Sequence, residues 1–551
     1  MSKLIQSRRQ FLINSGKVAL GVASANILSA CHTGESAPAI IVPDNLRPKL
    51  PSGIQIGDVS NGNATIWARA DRTAKLRVEY SFNESFKQSK LAVGRVVTNA
   101  SDFTGRVELT GLPQGQDIFL RVTFEDASNN NAISEPYAGH FRTMPANDKT
   151  PIRFVWGGDV NGQGWGINPE IGGMKIWETM RQRKPDFFIH SGDAIYADGA
   201  IKESVTIQPM NSLKPDEVRI WKNIVTEEVS KPAETLKEYR GRHRYNFMDE
   251  NLRRFAAEVP QIWQWDDHDV LNNWSPSTVL ANRTDGSVHY STTADLQSLV
   301  AYGRQAFLEN SPMQWRTEAI EDQRIYRKIN YGPLLDVFVL DERSYRGPNS
   351  TNVQTTLDNN SAFLGKEQVD WLVNELTNSK AVWKVIASDM PLSLNVEDHT
   401  TGNASWFEAI ANENDGAPLG RELEIARLLS ATKAVKNTVW ITADVHYCAA
   451  HYYDNNKAKF TDFKPFWEFV AGPLNAGTFG PNTLDKTFGP QLIFQKTPPA
   501  GKSNLSPLDG YQFFGEVNID PASKVLTVDF RDLAGAIQFT QAVEPDLSYT
   551  S

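Results

Sequence analysis

Residues 187–199 read Phe-Phe-Ile-His-Ser-Gly-Asp-Ala-Ile-Tyr-Ala-Asp-Gly and combine an apolar strand with two oxygen ligands. The apolar run at 187–189 is typical of a buried parallel strand. Gly192 and Asp193 follow where that strand should end, so the carboxylate is expected at the carboxyl edge of a sheet, where open α/β folds place their ligands. Tyr196 lies three residues further on and can reach the same point. The stretch therefore predicts a metal site, although Gly-Asp after a strand is also a common turn.

Strands of the same kind recur along the 551-residue chain and predict a layered α/β domain over residues 151–540. The candidate strands are 152–156, 186–190, 261–265, 335–340, 383–387 and 439–443. Between them, residues 214–258 and 295–310 have a mostly helical pattern. The chain returns to β alternation at 513–542, which predicts strands with one face in the core.

Residues 50–145 have a different pattern, with short alternating strands separated by turns that contain Gly, Asn and Pro. Their spacing favours a β-sandwich of about 90 residues, immunoglobulin-like in size. Ligand-type residues do not cluster there, so we expect this part to pack or to present the rest. The predicted architecture is multidomain, with an N-terminal immunoglobulin-like sandwich followed by an α/β domain.

The first 31 residues have the pattern of an export signal. Arg8 and Arg9 precede Phe11 and Leu12 and a short apolar run, which resembles a twin-arginine signal for proteins exported folded. Leu28-Ser-Ala-Cys31 resembles a lipoprotein processing site, which would make Cys31 the acylated residue. The alternative is a free cysteine near a cleavage site. We therefore expect a periplasmic or cell-surface protein whose only link to the membrane is a lipid at Cys31.

Charge and cysteine content narrow the classes of partner. The net charge is −9, and removal of 1–31, which carries four cations and no acid, would leave −9 − 4 = −13. An acidic surface argues against nucleic acid and suits divalent cations. The two cysteines, Cys31 and Cys448, cannot form a disulfide if Cys31 is lipidated.

Five strand ends carry acidic, His or Tyr side chains in one order. They are Gly158-Asp159-Val160-Asn161, Gly192-Asp193 with Tyr196, Trp265-Asp266-Asp267-His268-Asp269, Asp389-Met390-Pro391 and Asp444-Val445-His446. Each could be a turn or a helix cap. Five in succession are hard to explain as caps, and anions gathered at one sheet edge usually hold cations.

This order resembles the calcineurin-like metallophosphoesterases, and within them the PhoD-type alkaline phosphatases. Residues 265–274, Trp-Asp-Asp-His-Asp-Val-Leu-Asn-Asn-Trp, are similar to the most specific block of that family, and 52–58 with 66–69 are similar to the opening of its N-terminal domain. The resemblance spans roughly residues 50–540. It implies a four-layer αββα catalytic domain and a secreted phosphatase that uses a metal-activated water.

The departures from the superfamily pattern bear on the metals. Asn161 stands where the first block has His, and Tyr196 follows Asp193 as in purple acid phosphatases; a phenolate ligand favours Fe(III). Asp267 and Asp444 replace Asn and His, and an oxygen-rich site suits Ca²⁺ better than Zn²⁺. Other divalent cations remain open. The cysteine that the best-known members place near the first block is absent, and Asp159 takes its position.

Site roles are carried over residue by residue. The resemblance implies that Asp159, Tyr196 and His446 hold the iron-type ion, that Asp193 bridges, and that Asp267 and Asp444 hold the second ion.

Two further residues are candidates for catalysis. His268, next to Asp267, would protonate the leaving alkoxide, with support of a metal ligand as its alternative role. Arg343, at the end of another strand, would fork onto the phosphate, with a surface ion pair as its alternative.

Three functions are open on these grounds. The first is a secreted phosphatase acting on phosphomonoesters, phosphodiesters or both. The second is a phospholipase D-like phosphodiesterase. The third is a surface binding protein in which the metals are structural, which is disfavoured because such a site needs neither a second ion nor His268. The expected partners are small phosphate esters.

Overall fold

The strands predicted around residues 187–199 form the middle of a mixed nine-stranded sheet. The computed structural model describes residues 42–284, 290, 294–317, 319–402 and 405–548. The strands are β1 (Ile54–Ser60), β2 (Asn63–Arg69), β3 (Ala74–Ser81), β4 (Lys90–Val97), β5 (Thr104–Leu109), β6 (Asp117–Asp126), β7 (Tyr137–Arg142), β8 (Ile152–Gly157), β9 (Phe187–Ser191), β10 (Ser204–Thr206), β11 (Ile220–Lys222), β12 (Gln261–Gln264), β13 (Arg327–Asn330), β14 (Leu335–Val339), β15 (Trp383–Ala387), β16 (Thr438–Thr442), β17 (Cys448–Tyr453), β18 (Phe466–Val470), β19 (Pro490–Lys496), β20 (Phe513–Ile519), β21 (Leu526–Asp532) and β22 (Ile537–Val543). The helices are α1 (Lys175–Gln182), α2 (Leu236–Asn246), α3 (Glu250–Glu258), α4 (Leu296–Asn310), α5 (Lys366–Asn378) and α6 (Glu422–Thr432).

Each of the two large sheets has a parallel centre. The first has the order β22-β21-β20-β8-β9-β12-β1-β2-β5, and β8, β9 and β12 are parallel. The second has the order β13-β14-β15-β16-β18-β17-β19, and β14, β15 and β16 are parallel. The six strands predicted in the α/β domain are the six central parallel strands. Their carboxyl ends therefore collect on one edge of each sheet.

The main core lies between the two sheets, and helices cover their outer faces. In β9, Phe187 and Ile189 join the core between the sheets, whereas Phe188 packs outward with Trp177 of α1 and Phe255 of α3. The second sheet shows the same alternation, with core residues facing inward and an outer cluster formed with α5 and α6. The layers are thus helix, sheet, sheet, helix, as the resemblance implied.

The N-terminal strands do not form a separate body. Strands β1, β2 and β5 extend the first large sheet, and β4-β3-β6-β7 form a sheet of their own that faces them across a shared apolar core. Strand β1 pairs in parallel with β12 at Gly57 and Gln261. Residues 45–551 form one compact unit. One of the two sheets of this sandwich is thus part of the main sheet. The expected likeness to an immunoglobulin domain stays a prediction.

One element prediction is wrong in its first half. Residues 236–258 are helical, but 214–235 contain only β11 and a single short 3₁₀ turn between extended segments. Pro215 and Pro232 interrupt the stretch, and residues 204–222 instead pair as the β10–β11 hairpin. The predicted signal at 1–31, with Arg8, Arg9 and Cys31, lies outside the described residues. Among the described helices, none combines the length and the apolar character needed to cross a bilayer.

Candidate metal centre

The strand-end carboxylates lie on backbone that L-residues rarely adopt. The φ angles are +66° at Asp159, +48° at Asp193, +61° at Asp444 and +63° at His446. Non-glycine residues in this region cost of order 1 kcal/mol each and cluster at functional sites. Gly192, at φ +80°, precedes this group, and a Cβ there would lie 2.4 Å from Asp266 Cβ. The backbone is therefore bent to bring side chains from several strands to one point.

Asp159, Tyr196 and His446 form the first half of the site. The Tyr196 hydroxyl lies 2.8 Å from His446 Nε2 and 3.4 Å from Asp159 Oδ1, and the last two atoms are 3.4 Å apart. His446 Nδ1–H donates to the Gly477 carbonyl at 2.5 Å. That bond fixes the tautomer and leaves Nε2 as the ligand nitrogen. The three residues assigned to the iron-type ion thus converge, all of them buried.

Asp267, Asp444 and Asp266 form the second half. Their carboxylate oxygens lie within 4.8 Å of one another, and Asp193 groups both with Asp159 and His446 and with Asp267 and His268. Asp193 therefore stands between the two halves, where a bridging ligand belongs. Asp266 was present in the sequence pattern without an assigned role.

The charge balance of this cluster fits cations. Burial and the neighbouring Asp267 and Asp266 carboxylates raise the pKa of Asp193 well above its usual value. Burial likewise raises the pKa of Asp159 to about 7, and Asp159 Oδ2 is buried without a hydrogen-bond donor among the described residues. Buried carboxylates of this kind are stable when they coordinate metal. The donors are oxygens and one imidazole, which hard cations prefer.

His268 lies beside the cluster and is held by Asp198, a residue that sequence reasoning missed. His268 Nδ1–H donates to Asp198 Oδ1 at 2.8 Å, and the imidazole stacks on Tyr196 with ring centroids 4.2 Å apart. Burial alone would lower the pKa of His268, but Asp198 and Asp267 outweigh it and raise that pKa to about 10. Asp198 thus occupies Nδ1, which leaves Nε2 of the imidazole for a ligand in the cavity. The available signal was an acidic residue two positions after Tyr196 in the same loop.

Arg343 does not have the predicted position. Its side chain is fully buried, its Nε donates to Asp266 Oδ1 at 2.6 Å, and its Nη1 pairs with Glu408. Asp389 Oδ2 lies 3.9 Å from Nε. The guanidinium therefore neutralises carboxylates beneath the site and has no surface to offer a phosphate. The sequence placed it correctly at a strand end but could not show that four carboxylates, those of Asp266, Asp267, Asp389 and Glu408, surround it.

A cavity of about 670 Å³ opens above the cluster. Its wall includes the predicted catalytic residue His268 and five of the six predicted metal ligands, which are Asp193, Tyr196, Asp267, Asp444 and His446. Neutral amides (Gln163, Asn272, Asn273, Asn482), apolar side chains (Val205, Val396, Phe479) and Lys202 line the rest. Asn272 and Asn273 shape the site through their backbone, since their N–H groups donate to Asp198 at 2.7 Å and to Asp267 at 2.5 Å.

Two other residues of the quoted stretches, His190 and Asn161, are buried near the site. His190 is buried against Trp177 and Trp263, and burial lowers its pKa to about 3. Asn161 bonds with its side chain to Asn246 at 2.7 Å and to Asn475 at 2.8 Å, in an amide network behind the site.

The chain is similar to known proteins over most of its length. Residues 154–530 match the PhoD-like phosphatase family and residues 35–145 match its N-terminal domain. Alkaline phosphatase D of Bacillus subtilis (strain 168) is 26% identical over 517 residues, which cover 89% of this chain and 79% of that protein.

Solved structures share the fold. A structure of PhoD aligns with a TM-score of 0.63 at 20% identity over 90% of this chain and 89% of that one. A purple acid phosphatase from yellow lupin (Lupinus luteus) seeds aligns with a TM-score of 0.55 at 13% identity, over 91% and 75%. The family match covers both the N-terminal strands and the two-sheet body that carries the metal cluster, and the chain belongs to the PhoD-like phosphatase family.

Proposed function

We propose that this protein is a metal-dependent phosphatase that hydrolyses phosphate esters with water, and that phosphodiesters are its preferred substrates. The observation that supports this most is the convergence of Asp159, Asp193, Tyr196, Asp267, Asp444 and His446 beside a cavity that also holds His268. Bound metal ions would make a water molecule more acidic and would supply positive charge that offsets the negative charge of the phosphate.

The chain's own groups define what can happen around that phosphate. Asp193, between the two halves, would keep both ions at a fixed separation. His268 Nε2, with Nδ1 tied to Asp198, is placed to give a proton to the departing alkoxide. The amides of Asn272, Asn273 and Gln163 offer neutral donors to the phosphoryl oxygens.

Two features of the cavity favour diesters over monoesters. Its volume, about 670 Å³, leaves room for organic groups on both sides of a phosphate, against walls formed by Val205, Val396 and Phe479. Arg343, whose guanidinium was predicted to fork onto the phosphate and could have compensated a dianionic monoester, is buried away from the cavity. A diester monoanion needs less compensating charge. A phospholipid diester, as in the phospholipase D-like alternative, is one member of this class.

For the metals, we propose Fe(III) at Asp159, Tyr196 and His446 and Ca²⁺ at Asp267 and Asp444. The phenolate supports the first assignment and the all-oxygen donor set supports the second.

For location, we propose export through the twin-arginine route with a lipid on Cys31. The sequence of residues 1–31 supports this. Cys31→Ser should release the exported protein from the membrane fraction, and an unchanged distribution would contradict the anchor.

The decisive experiment combines metal analysis with rates on both ester classes. Bis(4-nitrophenyl) phosphate should be hydrolysed with a higher kcat/KM than 4-nitrophenyl phosphate. Asp193→Asn should lose metal and most activity, whereas Asp370→Asn, on the exposed surface of α5, should lose neither. A metal-replete protein that hydrolyses no ester would overturn the proposal in favour of a structural metal site.

A further inference from the structure

Lys202 differs from the other lysines of its segment. Of the five lysines between residues 200 and 240, four have an ammonium within 4.0 Å of a carboxylate. The pairs are Lys214–Glu217 at 3.4 Å, Lys222–Glu170 at 2.6 Å, Lys231–Glu238 at 2.7 Å and Lys237–Glu227 at 3.2 Å. Lys202 is exposed and, within the part of the chain that the structure describes, has no such partner. It is also the member of the five that lines the cavity.

The backbone of Lys202 is held firmly at the cavity wall. The buried Asn223 side chain donates to the Lys202 carbonyl at 2.7 Å and to the Gly164 carbonyl at 3.0 Å. The same side chain accepts from the Gly166 N–H at 2.9 Å and from Trp221 Nε1–H at 2.7 Å. None of these four hydrogen bonds involves the side chain of Lys202. The Lys202 backbone is therefore fixed, and its ammonium takes no part in the hydrogen bonds that fix it.

Lys202 lies further along its loop than the predicted metal ligands do. Asp193 and Tyr196 are near the start of the loop that follows β9, whereas Lys202 is at the end of that loop, directly before β10, and Val205 is within β10. Around them the wall consists of neutral amides and apolar groups. The other charged residues of the lining are Asp193, Asp198, Asp267 and Asp444, which belong to the metal cluster or pair with His268. Lys202 is therefore the one cation that the described lining offers to the organic part of a substrate, besides His268 at the reacting end.

We propose that Lys202 binds a second anionic group carried by the substrate, so that the preferred substrates are phosphate esters whose organic part bears another negative charge. This rests on the proposed function and narrows its substrate class. The apolar side chains of Val205, Val396 and Phe479 would contact the carbon chain that connects the two anions. An exposed ion pair contributes modestly, about 1.5-fold to fivefold in affinity, which sets the size of the expected effect.

Equilibrium binding tests this without turnover. Calorimetric titration of the metal-loaded protein with 2-carboxyethylphosphonate and with ethylphosphonate, whose P–C bonds are not hydrolysed, compares two ligands that differ mainly in the remote carboxylate. The wild type should bind the first about 1.5-fold to fivefold more tightly. Lys202→Gln should remove that difference and Lys202→Arg should keep most of it. Lys214→Gln, in the same segment but paired with Glu217 and outside the described lining, should behave as the wild type.

Turnover separates failure of this inference from failure of the proposed function. Ethyl 4-nitrophenyl phosphate and 2-carboxyethyl 4-nitrophenyl phosphate share a leaving group, and Lys202→Gln should raise KM for the second alone. Equal binding of the two ligands by the wild type would overturn the inference, as would equal losses in Lys202→Gln on both esters, which would assign the ammonium to the reacting phosphate. Absence of turnover by the wild type would count against the proposed function, while the titration would still decide the role of Lys202.

Discussion

Tyr196 is the residue whose chemistry distinguishes one metal from another. Burial, with Asp193 and Asp159 close by, raises the pKa of its phenol well above the usual value, so a phenolate requires a strongly charged cation. With Fe(III) bound, a charge-transfer band should colour the concentrated protein violet to blue. Tyr196→Phe should remove the colour and most of the iron, measured by visible absorption and metal analysis. Tyr452→Phe, on β17 away from the site, is the matched control, and a colourless active enzyme containing only zinc would refute the iron assignment.

His268 is expected to act as the general acid, with Asp198 as a positioning residue. A poor leaving group such as an alkoxide needs a proton and a nitrophenolate does not, and general acid help is typically worth about 10² to 10⁴ in rate. His268→Ala should therefore slow alkyl esters by about that factor and nitrophenyl esters much less, with metal content unchanged. Asp198→Asn should change the two classes in the same direction by a smaller factor. Equal losses on both classes would show that His268 orients a ligand instead.

The residues that sequence reasoning found are those whose role follows from their own strand. Asp193 and Asp444 could be predicted because a carboxylate after a buried parallel strand must lie at the sheet edge. Arg343 satisfied the same rule, yet its role depends on Asp266, Glu408 and Asp389, which come from other loops. Asp198 can be recognised only through its bond to His268, which forms after the loop has folded. The order of strands in the sequence predicts which residues lie at the sheet edge, but it does not predict which side chains from other loops they contact there.

At the scale of elements, helix α6 begins on a buried carboxylate that couples stability to pH. Glu422 is buried and accepts from Asn412 Nδ2–H at 3.0 Å. Burial, with repulsion from Asp485, raises the pKa of Glu422 from 4.5 to about 8. Since the folded pKa exceeds the unfolded one, the protonated form stabilises the fold. That contribution is complete below pH 4.5 and is lost as the pH rises to about 8.

Glu422→Gln should therefore remove a pH dependence rather than simply destabilise. At pH 9 the variant should melt at a higher temperature than the wild type, with a gain of roughly 1 to 3 kcal/mol. At pH 5 the two should be close. Thermal melts across this range provide the test, with Glu367→Gln in the first turn of α5 as an exposed control. A variant that melts lower at both pH values would mean that Glu422 is ionised and paired in the fold.

Elements were predictable where the burial of both faces leaves a continuous apolar run. The six central strands are of this kind. Strand β21 was predictable from a different signal, the alternation of Leu526, Val528 and Phe530 with polar residues. Residues 214–235 were predicted as helix because the segment 214–258 has a helical pattern with charged residues on one face. The segment is instead held by specific bonds, such as those from Arg219 to Asp509 at 2.8 Å. Such long-range pairing leaves no periodic trace in the sequence.

At the scale of the whole molecule, the N-terminal strands of the described residues complete a sheet that also carries strand ends of the candidate site. Trp67 Nε1–H of β2 donates to the Glu309 carbonyl at 2.7 Å, and Gln55 Nε2–H of β1 donates to the Asn310 carbonyl at 2.7 Å, both at the end of α4. Helix α4 in turn packs against Trp263 and Trp265, which directly precede the loop that carries Asp266 and Asp267. The N-terminal part therefore supports the site through α4.

One buried ion pair makes this continuity testable. Asp58 of β1 accepts from Arg327 of β13 through both oxygens, at 2.9 Å from Nε and 2.8 Å from Nη2, so it links the first sheet to the second. Arg327 also donates to the Trp263 carbonyl at 3.0 Å. Both side chains are nearly inaccessible, with 2% and 7% exposed. Removing one partner leaves a buried charge uncompensated, which typically costs about 3 to 5 kcal/mol.

Asp58→Ala should therefore lower the melting temperature of the entire protein. Because β1, β12 and β9 share a sheet, calorimetry should show one transition displaced downward, with loss of activity following the same curve. Asp370→Ala, which breaks an exposed pair with Lys366, should shift the transition little, since such pairs contribute about 0 to 1 kcal/mol. Asp58→Leu with Arg327→Met should recover much of the loss, because an apolar pair leaves no charge to compensate. A separate early transition of the N-terminal strands, with the main transition and activity unchanged, would show that these strands are an appended domain and not part of the catalytic frame.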